Sequence, residues 1–310
     1  MKVNSLLKLI SLHFIFILLV VFTNNSITFQ FLPSKSNSIS ICKDSVITKR
    51  NVTIANYFQF LDSIVKYYDS LTPYQLNEHL LVRSNPWILD TLANTDYYVM
   101  MAKDSFVYNQ KSMIVLKAGS KLCIPDSLTA STLMKSFTNT YIDINIPEFK
   151  LRIYDSTSLK HECLIRVGRN EQKFLKMANR LVDLKTKTGN GYVVRFEKYP
   201  DYYNPVTGQK YFVTKRDDQK VTQLPQIPFI ETEINGIRNG QLIHPTTNPN
   251  TLGKAYSNGC IGTSEADAWK IYYYAPIGTK IKIRYDLEID KQGDSLKKLK
   301  DIYNYKAPKH

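Results

Sequence analysis

The chain has 310 residues, enough for two globular units with tails at roughly 100–200 residues per domain. With 43% apolar and 22% charged residues it has the makings of a sizeable core, which excludes a disordered polar chain. Lys and Arg number 41 against 27 Asp and Glu, a formal charge of +14. That charge is spread along the chain, with no zinc-finger spacing, basic zipper or RNP-like strand, so it reads as a solvated basic surface without a nucleic-acid partner.

The first 25 residues carry Lys2 and Lys8 ahead of an apolar run, Leu9 to Phe22, broken only by Ser11 and His13. That run is short for a membrane span and right for a signal-peptide core. Thr23, Asn24 and Asn25 offer no small-residue cleavage site, and Leu6 and Leu7 can lengthen the run into an uncleaved anchor. Residues 1–25 are therefore read as a signal peptide or membrane anchor, and 26–50, rich in Ser, Asn and Lys, as a linker. The four cysteines, Cys42, Cys123, Cys163 and Cys260, show no C-x-x-C and no zinc spacing. In an exported chain Cys123 and Cys163 can pair; an unpaired thiol is an equal reading for each.

Residues 51–135 read as a small α+β domain. Phe58, Leu61, Ile64, Val65 and Tyr68 recur at helical spacing between Ile54 and Leu71. Thr72-Pro73 opens a second short helix. Short strands are predicted at Tyr97–Met101, Met113–Leu116 and Lys121–Ile124, and a helix from Ser127 to Phe137. A second unit spans 139–286. Ile142, Ile144 and Ile146 alternate with polar residues, and 279–286 does the same with Ile281, Ile283 and Tyr285. Further strands are predicted at 191–198, 210–214, 227–233 and 240–243. Many short strands with Gly and Pro turns make this unit mostly β, a sandwich or barrel-like sheet with short helices. The charged tail, 287–310, reads as an exposed helix or a frayed end.

The chemistry concentrates between His244 and Cys260, joined by a loop of turn formers and small polar residues. Ser264 and Asp267 have capping-box spacing, so a helix is predicted to run on through Tyr274. A thiol near a helix N-terminus is stabilised as thiolate, and Gly259 leaves room beside the sulfur. His244, at a strand end, can return to the thiol in space. A Cys–His pair supplies a nucleophile and its base.

These residues carry a resemblance. From Thr140 to Asp286 the chain is similar to the L,D-transpeptidase catalytic domain, the YkuD-like family. The landmarks are His244, "SNGCIG" around Cys260, "TKTG" at 186–189, "INGIRNGQLIHP" at 234–245 and "APIGTKIKIRYD" at 275–286. The resemblance implies a β-sandwich catalytic domain over 139–286 in an exported enzyme of the periplasm or cell envelope, free or anchored in the inner membrane. It implies Cys260 as nucleophile and His244 as base. Gly259, Asn258 and Ser257 would orient the site and hold the oxyanion; Arg238 and Tyr256 would contact substrate. The partners implied are peptidoglycan stem peptides, donor and acceptor, with no metal and no cofactor. The outcome would be 3→3 cross-linking or exchange of a terminal D-amino acid. An L,D-carboxypeptidase, an inactive peptidoglycan-binding relative and an unrelated cysteine hydrolase are the alternatives. Two positions depart from the family pattern: Asn258 stands where the family has His, and Gly262 where it has Arg or Asn. Separately, "VLKAGSKLCIP" at 115–125 resembles the last strand of LysM peptidoglycan-binding modules.

Overall fold

The structure is a computed structural model that describes residues 42–290 and 296–305. The expected signal peptide or anchor lies outside the described residues. Among the described residues no helix is long and apolar enough to cross a membrane.

The N-terminal part runs β1 (Cys42–Ile47), β2 (Val52–Thr53), α1 (Tyr57–Asp69), α2 (Glu78–Arg83), α3 (Trp87–Ala93), α4 (Tyr97–Met101), β3 (Ile114–Leu116), β4 (Lys121–Pro125) and α5 (Ser127–Asn139). The apolar stripe of α1 turns Tyr57, Phe58, Leu61 and Ile64 inward. Two expectations change here. Residues 97–101 are helical rather than extended, because the Asp96 carboxylate accepts from the backbone N–H groups of Tyr98 and Val99 and caps the turn. The second helix starts at Glu78 rather than at Pro73, with the Asn77 side chain accepting from Leu80 N–H. The disulfide is not the Cys123–Cys163 pair that the sequence left open as one possibility. Cys42 bonds to Cys123, at a Cα separation of 5.2 Å, because β1 and β4 form an antiparallel ladder. Cys163 is a free, buried thiol.

The second part is mostly β. It contains β5 (Thr140–Asn145), β6 (Lys150–Asp155), β7 (Ser158–Leu164), β8 (Val167–Gly168), β9 (Gln172–Leu175), β10 (Arg180–Asp183), β11 (Gly189–Glu197), β12 (Val213–Lys215), β13 (Val221–Gln223), β14 (Phe229–Ile234), β15 (Leu242–Pro245), β16 (Ala255–Ser257), β17 (Ile261–Thr263), α6 (Glu265–Tyr274), β18 (Lys280–Arg284), β19 (Glu288–Asp290) and β20 (Leu296–Lys298). Eight strands form one mixed sheet in the order β17-β15-β14-β11-β18-β5-β6-β7, and β8 pairs with β16 beside it. The β15–β17 and β18–β5 pairs are parallel.

The two parts share one apolar core, from Val52 to Tyr303. Its centre is α6, whose Trp269, Ile271, Tyr272 and Tyr273 are buried. This helix packs on β15 and also against α2 and α3. Buried polar groups tie the layers together. Glu78 accepts from Tyr272 Oη at 3.0 Å and from Tyr273 Oη at 2.8 Å. Glu265 pairs with Arg216 at 2.6 Å, both almost fully buried. Removing one partner of such a pair leaves an uncompensated buried charge, costing about 3–5 kcal/mol. The N-terminal helices thus brace the helix that follows the Cys260 strand.

The tail is neither a helix nor frayed through its described part. β19 and β20 form a short ladder, and Tyr303 is 2% exposed. Its hydroxyl donates to Gly168 O at 2.7 Å and accepts from Thr186 N–H at 3.1 Å.

Candidate active site

β15 and β17 run parallel, with His244 opposite Gly262 and Ile243 opposite Ile261. Side chains alternate along a strand, so Cys260, immediately before β17, projects on the face that position 262 and His244 share. Both groups line one cleft of about 970 Å³, together with Arg166, Tyr202, Tyr211 and Phe229. That volume admits a ligand larger than a single amino acid.

The His244 Nδ1 donates to the Pro245 carbonyl at 2.9 Å. A carbonyl only accepts, so this bond fixes the proton on Nδ1 and leaves Nε2 as the free base. The ring leans on Phe229 with centroids 4.9 Å apart. Burial, with the Arg166 charge nearby, holds the imidazole pKa down to about 4, so the resting ring is neutral near pH 7.

Cys260 Sγ donates to Gly240 O at 3.9 Å. Burial pushes its thiol up, while a backbone hydrogen bond from Leu242 and the charge of Arg166 pull it back. The helix dipole contributes little here, contrary to the sequence expectation. Ser264 does cap α6, accepting from Asp267 N–H, but β17 intervenes between the thiol and the helix. Four extended residues cover about 13 Å, and a macrodipole fades within one turn.

The loop before the thiol is fixed by its own small groups. Ser257 Oγ donates to Cys260 O at 2.5 Å and accepts from Gly259 N–H at 3.2 Å. Gly259 has φ +110°, a conformation that a side chain would strain. Its carbonyl accepts from Thr186 Oγ1 at 3.0 Å, and Thr186 is the residue held by Tyr303. Asn258 accepts from Arg169 at 2.5 Å, so its amide oxygen is turned to that guanidinium. The Gly259 N–H, expected at the oxyanion, points instead at Ser257.

Two expected substrate contacts lie elsewhere. Arg238 is exposed and bidentate on Glu231, at 3.0 and 2.9 Å, and does not line the cleft. Tyr256 is 59% exposed and also outside the lining. The structure adds Arg166, Thr186, Arg169 and Tyr303. The one signal for Arg166 in the sequence was Gly262, a strand position without a side chain, which implies a close neighbour.

A Cys and a tautomer-fixed His on one face of a parallel strand pair, at the floor of a wide cleft, can carry out acyl transfer. Residues 139–283 match the YkuD family model, the L,D-transpeptidase catalytic domain. The matched residues cover the whole eight-stranded sheet described above, apart from the last residue of β18. No curated protein matches the chain. Among solved structures, the chain is similar to an L,D-transpeptidase from Mycobacterium smegmatis, at 14% identity and TM-score 0.34, over 47% of this chain and 58% of that one. One from Xylanimonas cellulosilytica matches at 13% and 0.35, over 61% and 79%. One from Mycobacterium tuberculosis H37Rv matches at 17% and 0.32, over 47% and 57%. The chain thus spans under two thirds of the first and third of these proteins.

A second Cys–His group lies outside the lining of that cleft. His161 and Cys163 on β7 and Asp267 on α6 bring their ligand atoms within 4.8 Å of one another. Spacing in the sequence gave no hint of this cluster. His161 Nε2 and Asp267 already bond at 2.9 Å, and Ser264 Oγ donates to the same carboxylate at 2.5 Å.

Proposed function

We propose that the chain is an exported cysteine L,D-transpeptidase acting on peptidoglycan stem peptides. The observation that carries the reading is the shared face of Cys260 and His244, with Nδ1 of the imidazole committed to Pro245. In this reading the Cys260 thiol gives its proton to His244 Nε2, and the thiolate attacks the donor carbonyl carbon. The C–N bond to the terminal D-amino acid breaks, and His244 returns the proton to the leaving amine. An imidazole held at low basicity is a strong acid once protonated, which suits that second step. An acceptor amine then loses its proton to His244, attacks the thioester carbonyl and displaces the Cys260 thiolate. With an acceptor diaminopimelate the product is a 3→3 cross-link; with a free D-amino acid it is an exchange. The Cys42–Cys123 disulfide supports export, since such bonds persist in oxidising compartments. The basic surface suits a polymer dense in carboxylates.

The test is mass spectrometry of the intact protein after incubation with a carbapenem, a lactam that traps a competent thiolate as an acyl adduct. One adduct on the parent protein and none on Cys260→Ala is the expected result. A folded, reduced parent protein that takes no adduct would leave a wall-binding relative as the better reading. Product analysis with tetrapeptide donors then separates cross-linking from carboxypeptidase release.

A further inference from the structure

Gly262 sits between two partners. On one side it is in register with His244. On the other it exchanges both backbone hydrogen bonds with Arg166, at 2.9 and 3.0 Å. The Arg166 side chain folds back over it. A Cβ at position 262 would lie 2.5 Å from Arg166 Nε and 2.6 Å from its Cγ. The guanidinium therefore occupies the face of the strand on which Cys260 and His244 stand, and it reaches the cleft. It is poorly satisfied there. Nε is buried without a hydrogen-bond partner, and Nη1 makes one long bond, 3.4 Å, to Thr251 Oγ1. No carboxylate pairs with it among the described ion pairs, whereas Arg152, Arg216 and Arg284 all have one.

A buried guanidinium keeps its proton and costs free energy unless an anion meets it. The groups facing it are the Cys260 thiol, the phenols of Tyr211 and Tyr256, and the carboxylate of Asp217, with His244 as the neighbouring base. Tyr256 is largely exposed, and Asp217 accepts from Asn250 N–H at 2.7 Å.

We infer that Arg166 is the fixed cation of this site, held over Gly262 to stabilise the Cys260 thiolate and to keep His244 a neutral base. The inference rests on Cys260 being the nucleophile. It assigns the thiolate's counter-charge to a strand that the loop motif around Cys260 does not include. It also explains why position 262 carries no side chain: the space belongs to Arg166. The same charge that favours thiolate disfavours imidazolium, so the proton taken by His244 is passed on readily to the leaving amine.

The experiment is the pH profile of alkylation of Cys260 by iodoacetamide, read by mass spectrometry on the full chain. This chemistry needs neither stem peptide nor carbapenem. Arg166→Met keeps most of the packing and removes the charge; Arg166→Lys keeps a charge on a shorter reach. Arg166→Met is expected to move the Cys260 profile to higher pH, with alkylation below the thiol pKa slower by about tenfold or more. Arg166→Lys should fall between. Gly262→Ala should shift the profile in the same direction by displacing the guanidinium, and should add nothing in the Arg166→Met background. A profile for Arg166→Met that overlays the parent, with thermal unfolding showing both folded, overturns the inference. So does a Gly262→Ala effect of equal size in both backgrounds. Failure of the acyl-transfer reading looks different: the parent takes no carbapenem adduct, yet its Cys260 profile still responds to Arg166.

Discussion

Residues 139–283 hold two free thiols, each on a face shared with a histidine, and the charged groups beside the two thiols are of opposite sign. Cys163 lies on β7 with His161 two residues away, so both project on one face, and Asp267 completes the group. Cys260 shares a face with His244, and Arg166 completes that group. Cys163 is 6% exposed; burial and the carboxylates of Asp267 and Glu162 push its thiol well up. Cys260 is partly open at the cleft; burial pushes its thiol up as well, but the Leu242 backbone N–H and the Arg166 guanidinium oppose that rise. A Cys and a His on one face are common to both. In the function proposed above, access and the sign of the third charge are what separate a reactive Cys260 from an inert Cys163.

The sharpest break of that comparison is substitution of each thiol. Cys260→Ala should abolish carbapenem acylation, a loss on the order of 10³-fold or more in rate. Cys163→Ala should acylate within about twofold of the parent, and stopped-flow or timed mass spectrometry compares the two. A Cys163→Ala protein that folds but no longer acylates would reverse the assignment of the two sites.

The histidines come next. His244→Ala should slow acylation by about 10²–10⁴, the usual contribution of a general base. His161→Ala should leave the acylation rate nearly unchanged, because its ring is committed to Asp267 and does not line the cleft. Equal losses in the two variants would mean that the network, not the base, sets the rate.

Much of the fold around the cleft was legible in the sequence, and the missing part has a physical reason. The helical stripe of α1, a strand through Ile142 and Ile144, and the Ser264–Asp267 cap are local patterns that the structure has, although Asp143 and Asn145 are buried too, so the strand is not half-exposed as its alternation suggested. The order His244, loop, Cys260 placed the cleft. Arg166 was hidden because it is 94 positions from Cys260 and reaches it only through the Arg166–Gly262 bridge. The Cys42–Cys123 bond was hidden for the same reason, since it depends on the β1–β4 register. Residues 97–101 misled because β-favouring side chains say nothing of the cap that Asp96 supplies.

A smaller effect sharpens the comparison through protonation. His244 and His79 are both held down to about 4 by burial, below the ordinary 6.5. Between those values the unfolded chain takes up protons that the folded state refuses. Stability is therefore full above about pH 6.5 and falls as the pH drops toward 4, by on the order of 2–3 kcal/mol for each group. Urea melts at pH 7, 5.5 and 4.5 should show a shallower acid slope for His244→Gln than for the parent. Identical slopes would mean that the His244 ring is solvated rather than enclosed.

The smallest expected effect concerns how the Cys260 loop is held from behind. Tyr303 Oη bonds Gly168 O and Thr186 N–H, and Thr186 Oγ1 bonds both Gly168 N–H and Gly259 O. The tail thus reaches Gly259, the residue before Cys260, through two side chains. Tyr303→Phe deletes one hydroxyl and leaves a buried N–H and a buried carbonyl each short of a partner, at about 1–3 kcal/mol. Because Gly259 is displaced only indirectly, acylation should fall by no more than about tenfold, with the Cys260 alkylation profile unshifted. That unshifted profile is the discriminating observation. Arg166 acts on the charge of the sulfur and moves its titration; Tyr303 acts on the position of the loop and changes the rate at every pH alike. A Tyr303→Phe profile displaced to higher pH would show that loop position and thiolate stability are one property, and would require Arg166 itself to be held in place by the tail.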